Sequence, residues 1–121
     1  MSERVTGIGG VFFRTGNPKE LLAWYEQHLG IAPAPDFTGV TFTAAAGDQT
    51  VWALFPEDTD YFGPGDRGLM VNYRVRDLDA MLEQLRTAGA PVEDATENNP
   101  FGRFAWATDP EGNRFELWEP K

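Results

Sequence analysis

The chain contains no cysteine. Disulfides, thiolate zinc sites, iron–sulfur clusters and thiol nucleophiles are therefore excluded. Serine occurs once, as Ser2, which leaves no serine nucleophile. Histidine also occurs once, as His28, so metal sites built on two or three imidazoles of one chain are ruled out. Basic residues are scarce: 10 Lys and Arg against 19 Asp and Glu give a net charge of −9. Nucleic acids and anionic membranes require a basic surface that displaces counterions, so neither is an expected partner. An acidic chain instead favours neutral or cationic ligands. No apolar run approaches the ~18–20 residues of a membrane span. Met1-Ser2-Glu3-Arg4 lacks the apolar core of a signal peptide. A soluble, cytoplasmic protein is expected.

What is present is one domain's worth of chain. Its 121 residues are 41% hydrophobic and 24% charged, ordinary globular proportions that argue against wholesale disorder. The pattern falls into two similar halves: a first module over about 5–56, a loop over 56–68 and a second module over about 69–119. In the first, Val5 to Arg14 has strand composition with Gly9-Gly10 inside it. Asn17-Pro18-Lys19-Glu20 starts a helix, with Asn17 as cap, Pro18 at the first helical position and Glu20 completing a capping box. Leu21, Leu22, Trp24, Tyr25 and Leu29 form its apolar stripe, and Gly30 stops it. Phe37 to Ala45 and Thr50 to Phe55 read as strands turned by Gly47-Asp48. The second module repeats the plan. Leu69 to Val75 is a strand, Asp77 a cap, and Leu78, Met81, Leu82 and Leu85 lie at helical spacing before Gly89. A weak strand around Pro91 to Ala95 precedes strands at Phe104 to Ala107 and Arg114 to Glu119. Asp109-Pro110-Glu111-Gly112-Asn113 turns the last two. Each half reads as strand–helix–strand–strand–strand, an α+β plan in which neither half would easily stand alone.

Several local patterns invite functional readings and fail them. Gly63-Pro64-Gly65-Asp66-Arg67-Gly68 matches G-x-G-x-x-G. A dinucleotide site needs that turn to follow a strand and open a helix, whereas here a strand follows it. Asp58-Thr59-Asp60 echoes the start of a calcium loop, but Phe62 and Leu69 fall where oxygen ligands belong. His28 sits in the last turn of the first helix, where the dipole favours a cap or packing role. Glu20, Glu26, Glu83 and Arg86 read as exposed helix charges.

The segments Trp24-Tyr25-Glu26-Gln27-His28-Leu29-Gly30, Tyr73-Arg74-Val75-Arg76-Asp77-Leu78-Asp79 and Asp109-Pro110-Glu111-Gly112-Asn113-Arg114-Phe115-Glu116-Leu117 resemble the vicinal oxygen chelate superfamily. That group contains glyoxalase I, extradiol dioxygenases and bleomycin-resistance proteins. The resemblance covers nearly the whole chain in the right order. It implies two βαβββ modules forming curved half-barrels around a ligand cavity, usually within a homodimer. It also implies a divalent metal held by His, Gln or Glu from the first and last strands of each module. Here those positions carry Gly10, Met70 and Glu116, with Ala53 opposite Glu116, or Trp52 if the strand register slips. Glu116 is thus the only surviving metal-ligand candidate, and one carboxylate is short of the three protein ligands a catalytic zinc normally takes. No cofactor is expected, and a divalent metal is disfavoured. The departure leaves Glu116 as a relic, a counter-charge for a ligand, a general base, or a salt-bridge partner of Arg114 or Arg74.

Strand alternation then selects the residues sharing Glu116's face. These are Arg114 and Trp118 on the last strand; Met70, Asn72 and Arg74 on the second module's first strand; and Ile8, Phe12 and Arg14 around Gly10. Phe104 and Trp106 join them, while Val71, Tyr73 and Val75 turn to the helices. An aromatic lining with a few polar groups is how small-molecule pockets are usually built, although each aromatic alone could equally fill a core or a dimer interface. Two functions follow. The first is a binding module for an apolar, aromatic or cationic small molecule. The second is a lyase, isomerase or dioxygenase-type enzyme using Glu116 as base or metal ligand.

Overall fold

A computed structural model describes residues 2–121. The elements run β1 (Val5–Thr15), α1 (Pro18–Leu29), β2 (Gly39–Thr43), β3 (Gln49–Pro56), β4 (Leu69–Val75), α2 (Leu78–Thr87), β5 (Val92–Asn99), β6 (Gly102–Thr108) and β7 (Arg114–Pro120). The α+β class expected from the sequence is observed. The chain divides into two compact units, Gly10–Leu69 and Met70–Lys121, the latter joined by the residues up to Gly9. β1 therefore contributes residues to both.

In the Gly10–Leu69 unit the strand order is β2-β3-β1, with β3 parallel to β1 and antiparallel to β2. The pleat sorts its side chains. Phe13 and Trp52 turn toward α1, where Trp52 packs 4.8 Å from the Tyr25 ring and 5.6 Å from that of Phe13. Phe12 pairs in register with Ala53, and its ring lies 5.3 Å from Phe55 on the opposite face. This settles the β3 register: Ala53, not Trp52, takes the position away from the helix. The termini of α1 follow the capping chemistry. Asn17 accepts from the Glu20 amide at 3.2 Å and donates to the Glu20 carboxylate at 2.9 Å. Gly30 ends the helix in the left-handed region at φ 71°.

The first repeat is shorter than the sequence reading, with two strands after its helix instead of three. Residues 30–38 are irregular. Pro33 and Pro35 remove two amide donors from this stretch, which cannot sustain a ladder. β2 accordingly starts at Gly39 rather than Phe37. The loop after β3 closes on itself through Thr59 N to Pro56 O and Gly63 N to Asp60 O, each 3.1 Å. It runs directly into β4, so the glycine pattern there is a loop, as expected.

The other unit orders its strands β1-β4-β7-β6-β5. β4 and β7 are parallel, and β6 is antiparallel to both β7 and β5. The weakly signalled strand near Pro91 proves to be the eight-residue β5, with an irregularity between Val92 and Thr96. Alternation again holds. Val75 and Leu117 pack with Leu78, Met81, Leu82 and Ala105 in the α2-facing core, with Tyr73 and Phe115 against them. Burying each of the larger of these side chains contributes about 1.5–3 kcal/mol. Two carboxylates satisfy the start of α2: Asp77 accepts from Ala80 N at 3.0 Å, and Glu119 from Leu78 N at 2.7 Å. Negative charge there also complements the helix dipole. Among the described residues no helix is long and apolar enough to cross a membrane.

Because Asp77 caps a helix that carries the core of its unit, Asp77→Ala is expected to lower unfolding free energy by about 1 kcal/mol. Urea denaturation checks this, with the slope unchanged from wild type.

Candidate functional site

β4 and β7 run in register, so Asn72 stands directly beside Glu116, and the antiparallel pairing of β6 sets Trp106 on its other side. All three point away from α2. Glu116 and Asn72 are each only 2% exposed, and they are the two polar residues of the buried set. Asn72 Nδ2 donates to Glu116 Oε1 at 2.6 Å, and Trp106 Nε1 donates to Oε2 at 3.0 Å. Each carboxylate oxygen thus accepts an N–H, which offsets much of the cost of taking it out of water.

An aromatic layer surrounds this carboxylate. Trp118, 3% exposed, stacks on Phe104 with centroids 5.9 Å apart and planes at 5°, and its indole N–H reaches Phe101 O at 3.0 Å. Arg114 lies with its guanidinium 5.1 Å from the Trp106 ring, while its Nε and Nη2 grip both oxygens of Glu93 at 2.7 Å. That hydrogen bond holds the Glu93 carboxyl below its ordinary value, helped by the attraction between the charges and opposed by partial burial. Arg74 donates from Nη1 to Ile8 O at 2.6 Å, and Met70 is buried two positions before Asn72. Phe104, Trp106, Met70, Asn72, Arg74, Arg114, Glu116 and Trp118 therefore belong to one unit and one side of its strands, as the alternation implies.

Phe12 and Arg14 lie in the Gly10–Leu69 unit, on the side of its strands away from α1. Phe12 is buried beside Ala53 and Phe55. Arg14 Nη1 donates to Glu57 O at 3.0 Å, its amide donates to Gly68 O at 3.0 Å, and its guanidinium lies 5.3 Å from the centre of the buried Phe62 ring. The same unit has a surface groove of about 480 Å³ along α1, lined by Thr15, Asn17, Glu20, Leu21, Trp24 and Tyr25. Two of its polar groups, Asn17 and Glu20, already bond each other to cap the helix. His28 rests its ring 4.7 Å from Trp24 in the last turn of α1, consistent with packing.

Two residues that the sequence reading left out complete the arrangement around Glu116. Glu93 was hidden in the weakly signalled β5. Gly9 lies against Asn72 Oδ1, so closely that a Cβ there would overlap that oxygen and stand 2.8 Å from a Trp118 ring carbon. A glycine inside a strand is the usual signal of such an approach.

The residues do not fit a divalent metal. Glu116 offers its oxygens to two N–H donors, Met70 is a soft neighbour, and Gly10 and Ala53 bring no ligand atoms. Among the described residues no group of three or more His, Asp or Glu could hold a metal ion.

The Glyoxalase/Bleomycin resistance protein/Dioxygenase superfamily matches residues 7–117, and the chain belongs to it. Among solved structures, methylmalonyl-CoA epimerase from Mycobacterium tuberculosis superimposes with a TM-score of 0.69 at 21% identity, over 97% of this chain and 89% of that one. The Streptomyces coelicolor methylmalonyl-CoA epimerase, in complex with 2-nitronate-propionyl-CoA, gives 0.70 at 17% identity, over 94% and 96%. A superfamily member from Vibrio splendidus 12B01 gives 0.56 at 15%, over 96% and 97%. At these identities the likeness is one of fold. No curated protein matches the chain.

Gly9→Ala is expected to cost at least the 1–3 kcal/mol typical of overpacking, roughly, and to alter the near-ultraviolet circular dichroism of the tryptophans. An unchanged melting curve would show that the Gly9–Asn72 contact is slack. The Glu93 pair adds a pH signature. Its folded-state carboxyl is lowered, so its stabilisation is present above the unfolded value of about 4–5. It is lost as pH falls through the lower folded value. Comparing wild type with Glu93→Gln across pH 2–7, roughly, should show a stability gap near neutrality that closes in acid.

Proposed function

We propose that this chain is a small-molecule-binding member of the superfamily, one that works without a divalent metal and holds an apolar or aromatic ligand. The observation that carries this reading is the engagement of Glu116. Both oxygens of the one carboxylate left at a family ligand position accept N–H donors, from Asn72 and Trp106, and among the described residues no group of three His, Asp or Glu gathers there. Trp106, Trp118 and Phe104 supply the flat apolar surface that such a ligand packs on. In this reading Glu116 fixes the orientation of Trp106 and Asn72, and ligand charge is not what it selects. The homodimer implied by the family resemblance is part of the same proposal.

A second reading has an observation of its own. A carboxylate oriented by two donors is also a well-placed general base, and the structural neighbours include methylmalonyl-CoA epimerases. As an enzyme the chain would use Glu116 for proton transfer at carbon, and its loss would cost about 10²–10⁴-fold in turnover.

Metal content per chain, measured after incubation with nickel, zinc, iron and manganese and then desalting, is expected to be near zero for all four. Neutral aromatic probes should then quench tryptophan fluorescence saturably, and Glu116→Gln should leave neutral and cationic probes equally affected. One equivalent of any metal would overturn the metal-free reading. A selective loss of cation binding would restore Glu116 as a counter-charge.

A further inference from the structure

α1 carries more apolar surface than its own unit covers. Of its 12 residues only Leu22 is buried. Trp24 is 50% exposed and Leu29 62% exposed. Phe42, 48% exposed, adds to them. It pairs with Thr50, two places from the Trp52 whose ring packs on Tyr25, and so lies on the same side of the sheet as α1. A surface helix ordinarily turns its apolar stripe inward. Large apolar side chains grouped on one side of a unit mark a contact surface, whereas single ones scattered over a protein need no explanation.

That surface is ridged. Residues four apart line up on a helix, so Glu20, Trp24 and His28 form one ridge, and Asn17, Leu21, Tyr25 and Leu29 the next. The groove of about 480 Å³ takes Glu20 and Trp24 from the first ridge and Asn17, Leu21 and Tyr25 from the second, and so runs between them. Helices pack by setting a ridge of one into such a groove of the other. The first ridge is balanced about Trp24, with an acid four residues before it and the chain's single histidine four residues after. Two copies crossing antiparallel at Trp24 would bring each Glu20 to the His28 of the other copy. A two-fold interface demands this self-complementarity, and an unrelated partner does not. Both groups are available: Glu20 Oε2 accepts from Asn17 Nδ2 at 2.9 Å while its Oε1 meets no donor among the described residues, and the His28 ring rests 4.7 Å from Trp24.

We propose that the Trp24 face of α1 is the surface through which two copies of this chain associate, α1 against α1 in opposite directions, with the Trp24 ridge of each copy in the groove of the other and Glu20 paired with His28 across the two-fold axis. The antiparallel arrangement also sets opposite ends of the two helix dipoles side by side. With a net charge of −9 two copies repel at long range, so cohesion rests on the aromatic contact, and the charge pair selects its direction. This inference rests on the homodimer included in the reading above and gives it a surface. The ligand-packing residues Phe104, Trp106 and Trp118 lie in the other unit.

Sedimentation equilibrium tests this on the whole chain, from roughly 1 to 200 μM, with circular dichroism to follow the fold. Wild type is expected to form a dimer. Trp24→Gln should raise its dissociation constant about tenfold or more, as loss of a central aromatic anchor does. Glu20→Lys and His28→Glu should each weaken it about two- to fivefold, and the double variant, with the pair reversed, should regain most of the loss. Damage to the helix ends alone would accumulate in the double variant, because both changes oppose the dipole. A wild type that stays monomeric would overturn the proposal together with the homodimer, leave the groove to another occupant, and leave the small-molecule reading to stand on its own quenching experiment. A dimer indifferent to Trp24→Gln would overturn the proposal by placing the interface elsewhere. A double variant weaker than both single ones would overturn it through the antiparallel pairing. Should Trp24→Gln not fold, the charge-reversal set decides alone.

Discussion

A carboxylate in a protein interior has to be answered atom by atom, and Glu116 is answered by an amide from the strand beside it and an indole from the strand on its other side. Those bonds do more than solvate a charge. Asn72 can reach Oε1 only if β4 and β7 keep their parallel register, and Trp106 can reach Oε2 only if β6 and β7 keep theirs. A one-residue slip in either pairing would swing every side chain to the other face and strand the carboxylate. The apolar core against α2 supplies most of the stabilisation and opposes the same slip, since Val75, Leu117 and Ala105 would turn outward. The polar cluster adds to this, because its bonds form in only one alignment of the three strands.

The two repeats show what this constraint adds. In the Gly10–Leu69 unit the corresponding in-register pair is Phe12 with Ala53; in the other it is Asn72 with Glu116. One frame thus carries an apolar pair in one copy and a hydrogen-bonded one in the other. The arginines diverge in parallel: Arg114 is matched to the Glu93 carboxylate of its own unit, whereas Arg14 donates to the Glu57 carbonyl. Similar parallel pairings in the two units thus carry different chemistry on their faces.

Much of this was legible from the residues in order. The caps at Asn17 and Asp77, the stops at Gly30 and Gly89, and the alternation along β4 and β7 are local rules, and they hold because nothing in the tertiary structure opposes them. The same alternation placed Asn72 and Trp118 on the Glu116 side, and Trp106 was expected to join them. What the sequence did not disclose is pairwise. Asn72 and Trp106 as donors to Glu116, Gly9 as the space into which Asn72 fits, and Glu93 as the clamp on Arg114 all depend on which strands become neighbours. The missing strand of the first repeat was a different failure. The reading of two matching halves carried an expectation that the 30–38 stretch, with Pro33 and Pro35, does not meet.

β1 serves two masters, and time is where this matters. Thr6 donates to Arg74 O across 68 positions of chain, Arg74 returns a bond to Ile8 across 66, and Glu3 meets Gln84 across 81. The leading residues of β1 thus belong to a unit whose other members are made at least sixty residues after them. Gly10–Leu69 has all its strands and its helix as soon as it is made, whereas Val5–Gly9 must wait for β4. Contacts of such separation cost loop-closure entropy before they are rewarded, which slows folding. Val5–Gly9 therefore stays unmatched until β4 has been made, and the order of folding is written into the place where that strand divides.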